Sequence, residues 1–146
     1  NVETEDTAIV TLKFKNGALG IIEATTATRP TNLEGSISIL GEHGTVVVGG
    51  VAVNEMQTWV FEDEQEGDSN VLEEFSVNPP NVYGFGHQAY YEHVVDCIVN
   101  GSANLVDGLQ GRKSIELISA IYESAETGKE VFLKFQPKHC RLGQKI

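Results

Sequence analysis

The sequence predicts an α+β domain: a large, open, mostly antiparallel sheet with helices packed on one face and the other face left as an oligomer interface. Three observations carry that reading. Apolar residues alternate with period two through the first half of the chain, as in half-buried strands, and recur at helical spacing in the second half. Strands come first, then two helices and one last strand, rather than the strand-helix alternation of a parallel sheet. Two helices cover only one side of such a sheet, while the patterns at 18–28 and 45–53 are apolar on both phases, so the second face is expected to be buried against another subunit.

The first strand sets Ala8, Val10, Leu12 and Phe14 on one side and Ile9, Thr11 and Lys13 on the other. Asn16-Gly17 then supplies the strongest short hairpin signal, and the return strand runs over 18–28. Arg29-Pro30-Thr31-Asn32 breaks the pattern, 33–40 resumes it, and Gly41-Glu42-His43-Gly44 turns into 45–48. After Gly49-Gly50 another strand pattern runs through Trp59, Val60 and Phe61. The run Glu62-Asp63-Glu64-Gln65-Glu66-Gly67-Asp68 has no apolar partner and reads as a solvated loop tip whose acids keep ordinary pKa values. A shorter strand is expected over 71–77, from Leu72 and the Phe75/Val77 pair.

Asn78-Pro79-Pro80-Asn81 is a rigid connection that excludes helix. A helix follows over 87–100, with Tyr90, Tyr91, Val94, Val95 and Ile98 as its buried stripe and Asn100-Gly101 as its stop. A second helix over 109–127 carries Ile115, Leu117, Ile118, Ile121, Tyr122 and Ala125, with Asp107 as cap and Gly128 as left-handed stop. Residues 130–135 close as a last strand, and 136–146 form a polar tail.

With 10 Lys+Arg against 21 Asp+Glu in 146 residues, the net charge is −11. An acid excess of this size argues against nucleic acid and anionic membrane as partners, because both select clustered Lys and Arg. A chain of this length forms one domain and buries roughly 68–70% of its unfolded surface. It is too short for a nucleotide-binding fold plus a substrate domain, which need about 100–200 residues each. It also opens on Asn1 in charged sequence, as a processed or truncated product would. No run approaches the roughly 18 apolar residues of a membrane span, and no charged-then-apolar leader is expected before the fold. Cys97 and Cys140, without any C-x-x-C, read as free thiols of a reducing compartment, Cys97 as a small core residue. A soluble, cytoplasmic protein is expected.

Gly84-Phe85-Gly86-His87-Gln88-Ala89 satisfies G-x-G-x-x-A and opens a helix, but it follows a proline-rich connection instead of a strand in a β-α-β unit. It is therefore rejected as a dinucleotide site. Two readings of it stand: a glycine loop needed only to start the helix, or a helix N-terminus whose free N–H groups favour an anion. No metal site is expected, since His87 and His93 do not share a helix face and His139-Cys140 is isolated. No nucleophile and base can be assembled, and Ser114 and Ser119 lie within a helix. Arg112 and Lys113 open the second helix, where positive charge is mildly unfavourable; a bound anion or an ion pair with Glu116 would each account for it.

With these elements placed, the chain resembles the C-terminal part of the glucose-fructose oxidoreductase / inositol dehydrogenase / MocA family of NAD(P)-dependent sugar dehydrogenases. The resemblance rests on Asp6-Thr7-Ala8 with Asn16-Gly17-Ala18, on Ile39-Leu40-Gly41-Glu42-His43-Gly44-Thr45, and on Tyr90-Tyr91-Glu92-His93-Val94. It continues through Asp107-Gly108-Leu109-Gln110-Gly111-Arg112-Lys113-Ser114-Ile115-Glu116-Leu117 and the pattern from Ala120 to Val131, reaching about Phe135. The loop from Asn78 to His87 looks like that of the subgroup acting on nucleotide-linked N-acetyl-sugar uronates.

That resemblance implies a full enzyme with an N-terminal Rossmann domain, a catalytic lysine in an E-K-P motif, a D-x-x-x-H pair and a nicotinamide cofactor. None of those motifs stands in this chain. It implies that residues 1–135 are the substrate-binding and oligomerisation domain of an NAD(P)-dependent sugar or nucleotide-sugar dehydrogenase. The Rossmann half would be absent, no cofactor would be bound by this part, and no residue would be catalytic in it alone. Asn81, Tyr83, Gly86 and His87 are then the expected substrate contacts, with Arg29 as an anion contact. The strands near 8–14, 18–28, 37–40, 45–53 and 57–61 would associate copies into a dimer or tetramer. The alternative is a non-catalytic α+β self-association module with no small-molecule substrate.

Overall fold

The computed structural model describes residues 3–33, 35–50, 52–77, 79 and 83–134. Contacts divide the chain into two units, one of residues 1–9 and 22–92 and the other of 10–21 and 93–146. The α+β class and the antiparallel strand order are as predicted.

Strand β1 (Thr7–Lys13) alternates: Ala8, Val10 and Leu12 are half-buried while Ile9, Thr11 and Lys13 are exposed. It pairs with β2 (Leu19–Thr25) as a two-stranded sheet. The hairpin forms at Asn16-Gly17, though as a three-residue loop. Phe14 accepts from the Gly17 N–H, and the Phe14 N–H donates to the Ala18 carbonyl, each at 2.9 Å. Only Gly17 is left-handed there (φ 95°), which gives a turn followed by a glycine bulge. The Asn16 side chain accepts from the Ala18 N–H at 3.1 Å and locks the turn from within.

Strands β3 (Ile37–Leu40), β4 (Gly44–Gly49) and β5 (Glu55–Phe61) form an antiparallel meander. Val46 lies opposite Ile39 and Trp59, and Val48 opposite Ile37 and Met56. Between Val47–Thr58 and Val48–Met56 the register shifts, with Gln57 as the extra residue of a bulge. The bulge changes the phase of β5, so that Met56 instead of Gln57 shares a face with Trp59. Among the described residues the first five predicted strands thus fall in two antiparallel sheets, of two and three strands, instead of one large sheet.

The strand expected over 71–77 is instead a 3-10 turn, Asp68–Asn70, running into a short helix α1 (Val71–Glu74). Asp68 causes this: its carboxylate accepts from the Gln65 N–H at 2.7 Å and starts a local turn that competes with extended backbone. The half-buried residues Asp68 and Val71 follow helical spacing, whereas Leu72, Phe75 and Val77 are all exposed. Of the expected strand only one antiparallel bridge survives, Ser76 to Glu55.

Helices α2 (Gly86–Asn100) and α3 (Gly108–Thr127) match the predicted ranges within a residue. Asp107 caps α3 in an extended conformation, accepting from the Gln110 N–H at 2.8 Å. Gly128 ends it at φ 65°, and Gly101 follows α2 at φ 70°. The buried stripes are narrower than expected. In α3, Leu117, Ala120, Ile121 and Ser124 are half-buried, while Ile115, Ile118 and Tyr122 are at least half exposed. In α2 the half-buried positions are His93, Val94 and Cys97, not Tyr90, Tyr91, Val95 or Ile98. Among the described residues no apolar side chain is fully buried. Residues 130–134 pair with no strand among the described residues; Phe135, the tail and Cys140 lie outside them. No helix of the described residues is long and apolar enough to cross a membrane.

Candidate functional site

The buried residues among those described are Gly49 and Gly50, at the tip of the β4–β5 hairpin, and Pro79. Gly50 turns the chain at φ 89°, in space where a Cβ would stand 2.9 Å from the Glu55 Cγ, so only glycine fits. The Asn54 N–H closes the loop onto the Gly49 carbonyl at 2.8 Å. The Asn54 side chain then works in two directions. Its Oδ1 accepts from the Ala52 N–H at 3.0 Å, and its Nδ2 donates to the Val77 carbonyl at 2.6 Å. Between them Val53 is held at φ 53°, a conformation that costs a β-branched residue about 1–3 kcal/mol and persists only where its surroundings enforce it.

This tip supports the connection that leads into α2. Val77 is tied to Asn54, and on the far side Gly84 (φ 66°) approaches Ala52, 3.9 Å from its Cβ to where a Cβ would sit on Gly84. Tyr83 is 73% exposed, and its ring meets the His87 ring edge-on with centroids 6.1 Å apart. The His87 Nδ1 lies 3.1 Å from the Tyr83 carbonyl. A carbonyl only accepts, so Nδ1 donates here, which leaves Nε2 for a further hydrogen bond. Around Gly86, the first residue of α2, no atom stands within 4 Å of where a Cβ would be, and no acid occupies the first helical turn. An exposed phenol ring, an imidazole and a helix N-terminus are therefore adjacent. Together they can hold a polar, anion-bearing ligand by hydrogen bonds and charge matching.

Of the five expected contacts, Tyr83, Gly86 and His87 are brought together at the start of α2. Asn81 lies outside the described residues. Arg29 follows β2, and its Nη1 donates to the carbonyls of Thr28 (2.6 Å) and Thr26 (3.3 Å). No carboxylate of the described residues forms an ion pair with it. Arg112 does form one, with Glu116 at 3.8 Å, and Lys113 donates to the Gln110 side chain at 2.7 Å, which removes the need for an anion there.

Sequence reasoning missed three arrangements. Asn54 was one; its position after a Gly-Gly turn suits a local side-chain turn, but no sequence signal names Val77 as its second partner. The second is Asp68, whose other oxygen accepts from the Trp59 indole at 2.8 Å. The Gln65 N–H first and the indole second hold its carboxyl below the usual value, against a small opposing effect of burial, so this member of the acidic run is not an ordinary solvated acid. In the third, His93 accepts from the Leu105 N–H at 3.2 Å and lies 3.4 Å from the Cys97 thiol, so Cys97 has a polar partner instead of a purely apolar setting. Nearby, hydrogen bonds from Ser102 first and then Asn100 keep Asp96 low. No group of three His, Cys, Asp or Glu among the described residues could hold a metal ion.

The model of an oxidoreductase family's C-terminal alpha/beta domain matches residues 1–133. Among solved structures, the WlbA dehydrogenase of Bordetella pertussis, in complex with NADH and UDP-GlcNAcA, is 43% identical with a TM-score of 0.82, over 92% of this chain and 39% of its own. The WlbA dehydrogenase of Chromobacterium violaceum, in complex with the same two molecules, is 43% identical with a TM-score of 0.79, over 92% of this chain and 36% of its own. The chain thus spans less than two fifths of the length of either.

Proposed function

The chain belongs to the glucose-fructose oxidoreductase / inositol dehydrogenase / MocA oxidoreductase family, as its C-terminal alpha/beta domain, and on that premise we propose that it is the substrate-side part of a nucleotide-sugar dehydrogenase. The substrate is a UDP-linked N-acetyl-sugar uronate, oxidised with a nicotinamide cofactor. The observation that carries this reading is the 43% identity, over 92% of the chain, to two dehydrogenases bound to NADH and UDP-GlcNAcA.

The residues present do not fit a dinucleotide cradle. Among the described residues, the Gly84–Ala89 run follows a turn at Tyr83, and all pairing in the β3–β4–β5 sheet is antiparallel. This supports assigning cofactor binding and hydride transfer to another part of the enzyme. Here Tyr83, the Gly86 end of α2, His87 and Asn81 bind the sugar nucleotide, and Arg29 matches its negative charge. In the full-length enzyme, His87→Ala should raise KM for the sugar nucleotide about tenfold, as expected for one lost hydrogen bond to a charged ligand, and leave the KM for cofactor unchanged. An unchanged sugar KM would remove His87 from the site.

The same part associates copies of the protein. Ile9, Leu19 and Ile21 in β1–β2, and Ile37, Ile39 and Leu40 in β3, are each more than half exposed, which supports covering of these strands by a second copy. Light scattering at micromolar concentration should show a dimer or tetramer that Ile21→Lys or Ile39→Lys dissociates; a monomeric wild type would end this reading.

A further inference from the structure

We propose that Asn54 is a positioning residue for the entry to α2, tying Val77 to the β4–β5 hairpin tip beside Gly84; this rests on the reading of Tyr83 and His87 as substrate contacts. One carboxamide satisfies two backbone groups from different segments: the Ala52 N–H at 3.0 Å within the hairpin and the Val77 carbonyl at 2.6 Å at the start of the loop. Gly84 approaches Ala52, the residue whose N–H that amide binds: a Cβ on Gly84 would stand 3.9 Å from the Ala52 Cβ. Tyr83 is next to Gly84, and its carbonyl accepts from His87. Asn54 thus connects through Ala52 and Gly84 to the two side chains that would meet the sugar, without touching the sugar itself.

The chemistry admits few substitutes. Aspartate keeps an acceptor for Ala52 but sets a second oxygen against the Val77 carbonyl; alanine makes neither bond; glutamine carries both groups one methylene too far out. The left-handed Val53 marks the same demand, since the backbone must turn there for the side chain of Asn54 to reach back to Ala52.

The test uses the full-length enzyme with UDP-GlcNAcA and NAD as probes. Asn54→Ala and Asn54→Asp should each raise the sugar KM about tenfold, change kcat less than about twofold and leave the cofactor KM alone, on the scale of one mispositioned hydrogen-bonding group. Amide exchange at 83–86 should quicken in both variants, and Asn54→Asp, which retains the Ala52 bond, distinguishes the loop clasp from simple turn stability. The proposal is overturned if Asn54→Asp behaves as wild type in exchange and KM. It is also overturned if exchange quickens and sugar KM stays unchanged in a protein where His87→Ala raises it. If His87→Ala leaves sugar KM unchanged as well, the substrate reading fails, and the exchange at 83–86 alone decides whether Asn54 clasps the loop.

Discussion

The two hairpins β1–β2 and β4–β5 are made differently. The first turns at Gly17 in open space, with nothing within 4 Å of where a Cβ would be, and its lock is Asn16 bonding to the next residue but one. Everything that shapes it lies within five residues. The second turns at Gly50 among close neighbours, holds Val53 left-handed, and is secured by Asn54 to Val77, 23 positions along the chain. A hairpin of the first kind is a connection; the second kind can transmit its geometry to another segment, and the candidate site grows from that one.

Substitution at the two glycines sharpens the contrast most. Gly50→Ala combines left-handed strain with collision against Glu55 and Asn54, and should cost about 2–3 kcal/mol in urea unfolding. Gly17→Ala meets only the backbone strain and should cost about 1 kcal/mol. Equal losses at both positions would break the distinction between a local and a tertiary turn.

A smaller effect separates the sheets by pH. Asp68 joins the end of β5 to the following loop through the Trp59 indole and the Gln65 N–H, and both favour its ionised form. Its folded pKa is lowered from 3.8, so its stabilisation is complete above that value and fades as pH falls through the lower folded value. Trp59 is the chain's single tryptophan, so its emission should shift below pH 3.8, before or with global unfolding, and Asp68→Asn should lose that titration. The Asn16 lock holds no titratable group and should not respond. A Trp59 transition unchanged by Asp68→Asn would assign the shift to another group.

Most of the fold was legible wherever local chemistry suffices. The β1 alternation, the Asn16-Gly17 turn, the Asp107 cap and the Gly128 stop each depend on neighbours in sequence, and each stands where the pattern puts it. The strand over 71–77 failed because alternation of a few apolar residues carries less weight than one aspartate able to bond its own backbone and a tryptophan nine positions before it. The helix stripes were too wide because periodicity reports which faces can be buried, not how much surface the chain supplies to cover them. Of the site, Tyr83, Gly86 and His87 were visible in the residues around the start of α2, while Asn54 was not.

By itself, then, the sequence determined the α+β class, the order of the first five strands and the two long helices, the boundaries of those helices and the family to which the chain belongs, since these follow from periodicity, capping chemistry and motif order along the chain. Only the tertiary structure decided that a bulge at Gln57 rephases β5, that Asp68 is a structural acid, and that Asn54 joins the hairpin tip to the loop entering α2. The reason is the reach of the interactions. Turn and cap bonds close within about five residues, whereas these depend on strand register and on partners brought near only by folding.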